Sequence, residues 1–182
     1  MARTIFYGQL KNSVKVTFQP NIGLDAASRQ AIVDVLNLLL ADETVLASKT
    51  HQAHTGSGGS ELNSVYEKQY QQLVEVLAEI TERISILGGI NLRGAKSLSD
   101  LARLDGKSGT VSDVMGMLAD HEAFIRFLRE DMQKCSDEYS DQGTFAMLVG
   151  ILRQHEKMAW VLRAFIEPKL DEKRQGSDNK NA

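Results

Sequence analysis

The sequence predicts an all-α protein: four long helices, with one long connection between the second and the third. Three observations predict it. Apolar residues recur at spacings of three and four over four separate segments, the period of a helix with one buried face. The two prolines, Pro20 and Pro168, stand at either end of those segments, so nothing between them forbids a helix. Glycines supply the interruptions: Gly56, Gly58 and Gly59, then Gly88 and Gly89, then Gly106 and Gly109, then Gly143.

In chain order, residues 1–20 come first. Their stretch "SVKVTF" alternates apolar and polar residues with no partner strand elsewhere, which predicts an extended N-terminal arm. The first helix is expected from about Asp25 to His54, with Ile32, Val35, Leu36, Leu39 and Leu40 on its apolar side and Asp25 or Ser28 as cap. The second is expected from about Ser60 to Leu87, stopped by Gly88-Gly89. A connector of about twenty residues follows. In its "SLSDLARL", Ser97 and Asp100 have the spacing of a capping box opening one short extra helix. The third long helix should start near Thr110, with Asp113 three residues on, and run to about Asp137; the fourth should run from about Asp141 to Ile166. Residues 168–182 are polar and are expected to be a disordered tail. One bundle over 21–167, with a long crossover after the second helix, is the ferritin-like topology.

Composition narrows the function classes. With 42% hydrophobic and 25% charged residues, the 182-residue chain reads as one soluble domain. The lone Cys135 excludes an internal disulfide framework. No secretory apolar core opens the chain, and the longest apolar run, "LNLLLA", is far below the roughly 20 residues that cross a bilayer. A cytoplasmic protein with no membrane partner is expected. The net charge of −3 hides an asymmetry, because the arm carries Arg3, Lys11 and Lys15 and no acid. Such an arm can touch a polyanion such as DNA, and it serves equally as a solubilising segment.

One constellation points to metal chemistry. His51 and His54 lie one turn apart on one helix face. Asn63 and Glu67 lie one turn apart on the second helix, and Glu82 is fifteen residues beyond Glu67. At about 100° per residue, that spacing is a net rotation of about 60°, so both acids project the same way. Nitrogen and oxygen donors without thiolate suit iron, zinc or manganese. The spacing alone serves a solvated helix face just as well.

The segments "NIGLDAASRQAIVDVLNLLLADETVLASKTHQAH", "EKQYQQLVEVLAEITERISILGG", "LADHEAFIRFLRED" and "LRQHEKMAW" resemble the Dps family, the DNA-protecting ferritin-like proteins. The resemblance covers about residues 20 to 167. It implies a homo-oligomeric hollow dodecamer that oxidises Fe(II) with hydrogen peroxide or dioxygen and stores ferric mineral inside. It also implies a ferroxidase centre between two subunits and, in many members, DNA contact near the nucleoid. His54 falls on the histidine of the family's "HWN" motif, although Thr55 and Gly56 replace its Trp and Asn. Asn63 falls where a second histidine usually sits, Glu67 on an acidic ligand position, Ala78 where an aspartate is expected, and Glu82 on the bridging glutamate. His51, one turn before His54, sits where relatives carry a non-ligand residue. The resemblance thus implies an atypical ferroxidase centre of His51, His54, Glu67 and Glu82 with Asn63 in support, richer in imidazole and poorer in acid. Zinc is an alternative occupant. The rival expectations are a shell whose centre is vestigial, or a DNA-binding protein in which the arm carries the function.

The same resemblance suggests Glu156 and Asp141 as acids lining an iron-entry pore, with Ala146 where some relatives place another. Each also reads as a solvated helix position. His121 and His155 each precede a glutamate, but Ile125 and Ala159 stand where a zinc-protease motif needs its second histidine, so both are expected to serve packing or surface pairing. Met115, Met117, Met132, Met147 and Met158 are expected in the core, and Phe124, Phe127, Trp160 and Phe165 in the core or an interface. Tyr66 and Tyr70 stand near the expected centre, as packing residues or as quenchers of oxidising radicals.

Overall fold

The computed structural model describes residues 19–56, 61–92, 95–105 and 114–166. The expected arm, the tail and the Thr110–Asp113 helix start lie outside them, apart from residues 19 and 20. Five α-helices are described: α1 (Ala26–Gly56), α2 (Glu61–Ile86), α3 (Ala95–Leu101), α4 (Val114–Gln133) and α5 (Gln142–Ala164). A π-helical turn, Lys134–Glu138, extends α4. The four long helices and the short α3 in the crossover are the all-α, ferritin-like arrangement expected, and the described residues contain no strand.

Each boundary has a local cause. Asp25 Oδ1 accepts from the backbone N–H groups of Ala27 and Ser28 and caps α1. Asp141 caps α5 by accepting from the Thr144 N–H. At the end of α2, the Gly88 N–H donates to the Ser85 carbonyl and the Gly89 N–H to the Ile84 carbonyl. With Gly88 at φ 79°, this is a Schellman stop. A Cβ on Gly89 would sit 2.6 Å from Val33 Cγ2, so glycine is also what lets this turn close onto α1. The capping-box expectation is corrected: α3 begins at Ala95, which puts Ser97 inside the helix rather than at its cap.

α1 is the spine. Ile32, Leu36, Leu39 and Leu46 are fully buried on it, and so are the polar Asn37, Asp42, Glu43 and Thr50. Asn37 and Asp42 fasten the crossover. Asn37 Oδ1 accepts from the Leu92 N–H, and Asp42 accepts from the N–H groups of Arg103 and Leu104. The Arg103 guanidinium bridges Asp42 on α1 and Asp131 on α4 and lies over the Phe127 ring. These bonds supply the partners that buried carboxylates require. Phe124 and Met117 are core residues as expected, whereas Met115 and Trp160 (65% exposed) lie on the surface of the single chain. Burial pushes the Cys135 thiol up to about 12, so it stays protonated and unreactive.

Candidate metal centre

The C-terminal end of α1 brings His51 and His54 to the surface. His51 is exposed, and its ring lies 4.8 Å from that of Tyr70 on α2, tilted by 30°. The two imidazoles are near-parallel, at 26°, with centroids 6.4 Å apart. Asn63, in the first turn of α2, holds His54 from two sides. Its side-chain amide donates to the His54 carbonyl at 2.6 Å, and its own carbonyl oxygen is 3.3 Å from His54 Nδ1. A carbonyl only accepts, so Nδ1 donates in this contact, which in a neutral ring leaves Nε2 as the acceptor. That arrangement gives a histidine the right tautomer for a metal.

Glu67 and Glu82 are both exposed on α2. Fifteen residues at about 1.5 Å each place them about 22 Å apart along one helix, so no single ion can reach both within one chain. Among the described residues, no three His, Cys, Asp or Glu side chains of one chain converge on an ion position. One acid escaped the sequence reading. Glu79 adjoins Ala78, and burial and the charge of Glu82 raise its carboxyl above the ordinary range. Glu79 and Glu82 form an i, i+3 pair on α2.

The two expected pore acids fare differently. Asp141 is 4% exposed, and both its oxygens accept from Arg83 Nη2 at 2.9 Å. Burial pushes its carboxyl up, but the bonds from Thr144 and Arg83 outweigh that and hold it below the usual range. Asp141 is therefore a helix cap and an ion-pair partner that ties α2 to α5. Glu156 is exposed and paired with Arg129 across α4 and α5. Of the two expectations for His121 and His155, packing holds and surface pairing does not: both are fully buried and meet each other.

Comparison with known proteins identifies the family. The ferritin-like domain model matches residues 33–169. The chain belongs to the ferritin-like family. It is 38% identical over 154 residues to a low temperature-induced protein of Nostoc sp., covering 81% of this chain and 86% of that one. It is 29% identical to DNA protection during starvation protein 2 of Bacillus anthracis, over 74% of this chain and 96% of the relative. Dps from Vibrio cholerae, described as a member of a broad superfamily of ferritin-like diiron-carboxylate proteins, superposes with a TM-score of 0.74 at 25% identity, over 81% and 96% of the two chains. DpsC from Streptomyces coelicolor superposes at 0.76 with 22% identity, over 82% and 91%. Within the ferritin-like family, the resemblance is to Dps, as the sequence motifs implied. No helix among the described residues is long and apolar enough to cross a membrane.

Proposed function

We propose that the chain is a subunit of a Dps-like shell that takes Fe(II) as substrate, oxidises it at a site shared between neighbouring subunits, and stores the ferric product in the cavity. His51 and His54 of one subunit bind the ion, with Glu67 beside them, and Glu82 of the next subunit completes the site. Each Fe(II) gives up one electron. Hydrogen peroxide takes two, and its O–O bond breaks to leave two hydroxides; dioxygen serves as the alternative acceptor. Iron held as oxide is withheld from hydroxyl-radical chemistry, which accounts for protection under stress. A dodecamer in the cytoplasm fits this work.

The observation that carries the proposal is the pairing of an exposed His51 with a half-buried His54 whose Nδ1 faces the Asn63 carbonyl. The 22 Å between the two acids supports an intersubunit site. Asn63 is better read as a residue that positions His54 than as a ligand, because its amide nitrogen is bonded to the α1 backbone. With two imidazoles and fewer acids, the site carries less negative charge than a carboxylate-rich one. It should therefore hold divalent iron, or zinc, better than ferric iron, and pass the product on to the cavity. Relatives are named for DNA protection, but any contact through Arg3, Lys11 and Lys15 rests on residues outside those described.

The test is Fe(II) oxidation followed optically, with peroxide and with dioxygen, on wild type and on the His51→Ala/His54→Ala double variant. Ferroxidase activity predicts a rate well above autoxidation that the double variant loses. Equal rates in both proteins would leave a storage shell with a vestigial centre.

A further inference from the structure

Three ionisable side chains meet in the centre of the bundle, apart from the surface histidines. Glu43 comes from α1, His121 from α4 and His155 from α5, and all three are 0% exposed. His155 Nε2 lies 3.3 Å from Glu43 Oε2, and His155 Nδ1 lies 3.2 Å from His121 Nδ1. The Phe124 ring packs against His155 at 4.5 Å between centroids. Two Nδ1 atoms this close share one proton, so one ring donates and the other accepts. A carboxylate at this depth needs a cation beside it. His155 supplies it when protonated, and its Nδ1–H then donates to the lone pair of a neutral His121. A second proton, on His121, would abolish that acceptor and set two buried cations side by side.

Among the described residues, the charged groups on the elements around His121 are otherwise engaged. On its own helix, Asp120 is paired with Lys49 and Glu122 with Arg163, both nearer the surface. On α1, Asp42 is bound by Arg103, as is Asp131 on α4. The buried polar residues of α2 are Tyr66 and Gln69, neither of them a carboxylate, and Cys135 in the π-turn is a protonated thiol.

We propose that the Glu43–His155–His121 chain is an acid-sensitive latch, which holds α4 and α5 against α1 near neutral pH and releases them when His121 takes a proton. Burial, and then the charge of His155, keep His121 well below the ordinary imidazole range. Because the folded-state value is the lower one, the unfolded chain binds the extra proton first. The contribution is fully present above the unfolded value of about 6.5 and is lost progressively as pH falls below it.

The experiment is urea unfolding of the full chain between pH 8 and pH 5, on wild type and on His121→Asn. Asn Oδ1 takes the place of Nδ1 as acceptor but does not titrate. The folding constant of the wild type should fall up to about tenfold per pH unit below about 6.5, the limit for one proton per chain, and the variant should be flatter by that amount. Parallel pH slopes in the two proteins would overturn the proposal. Should the variant not fold, NMR titration of the wild-type imidazoles decides: His121 still neutral at pH 6 supports the latch, and His121 protonated there refutes it. Uptake of Co2+ by the His51→Ala/His54→Ala protein, abolished by His121→Asn, would also refute it, since an ion rather than a proton would then be the ligand of the buried rings.

Discussion

The molecule holds two pairs of histidines in opposite physical states. His51 and His54 stand at the exposed end of α1 with an aromatic neighbour and a backbone clamp. His121 and His155 are sealed in the core with a carboxylate behind them. An exposed imidazole is cheap to keep and available to an incoming ion. A buried one is costly unless every nitrogen finds a use, so its substitution disturbs the fold before it disturbs any chemistry. The proposed function thus asks the same side chain for chemistry at one end of the bundle and for cohesion in the middle, and variants can separate the two.

The largest effect on stability is expected from the core. Replacing Glu43 by Ala leaves His155 without its carboxylate, and breaking a buried pair this way costs about 3–5 kcal/mol. Urea denaturation at pH 7 measures it. A loss below 1 kcal/mol would mean that Glu43 and His155 are not an ion pair. The mirror experiment is His51→Ala/His54→Ala. Here stability should stay within about 0.5 kcal/mol of wild type, as for surface changes generally, while peroxide-driven Fe(II) oxidation falls toward the uncatalysed rate. If Glu43→Ala and His51→Ala/His54→Ala responded alike in the two assays, the contrast between the two regions would be void.

How far the sequence could draw this contrast depends on the kind of signal. Helix ends were legible because their chemistry is local: Asp25 caps from two and three residues away, and Gly88-Gly89 stops α2 through bonds to Ser85 and Ile84. Ser97 misled because its capping-box spacing recurs by chance inside a helix that had already begun at Ala95. The surface pair was legible as an i, i+3 spacing beside a glycine-rich break. The core pair was not, since His121 and His155 are 34 residues apart and nothing local says that their helix faces meet. Glu43 was hidden by α1 itself, a helix buried on most sides, where polar residues stand among apolar ones without a clean stripe. The ion pair of Asp141 was hidden for the same reason: its partner Arg83 lies 58 residues away on α2. Trp160, expected in the core or an interface, and Met115, expected in the core, are exposed in the single chain.

A smaller effect sharpens the surface half of the comparison. Asn63→Ala removes the bond from the side-chain amide to the His54 carbonyl but leaves the Asn63 backbone carbonyl that faces Nδ1. Ligand orientation should loosen without loss of a ligand, and changes of that kind typically cost about 10–100-fold in metal affinity or activity. Because half of the clamp survives, the low end of that range is expected, read as Fe(II) or Co2+ affinity by calorimetry. Asn63→His tests the same point from the other side. If position 63 is a ligand position, histidine should tighten binding; if it acts by positioning His54, histidine loses the amide bond and binding weakens.

The smallest expected effect concerns Glu156. Its carboxylate is about half exposed and already paired with Arg129, and such surface pairs contribute only about 0–1 kcal/mol. Glu156→Gln should therefore leave the unfolding midpoint nearly unchanged. Under the proposed function, its consequence for iron depends on where the residue would lie in a shell of such subunits. On an open face, a single charge is screened within about 8 Å at physiological salt, and uptake should not move. In a narrow acidic channel, copies from several subunits would add, and the loss should slow Fe(II) entry by a small factor that grows as salt is lowered. Measuring uptake at two ionic strengths separates these outcomes. Arg129→Gln completes the comparison: freeing Glu156 from its partner should speed entry if the acid faces a channel, and should do nothing if it faces open solvent.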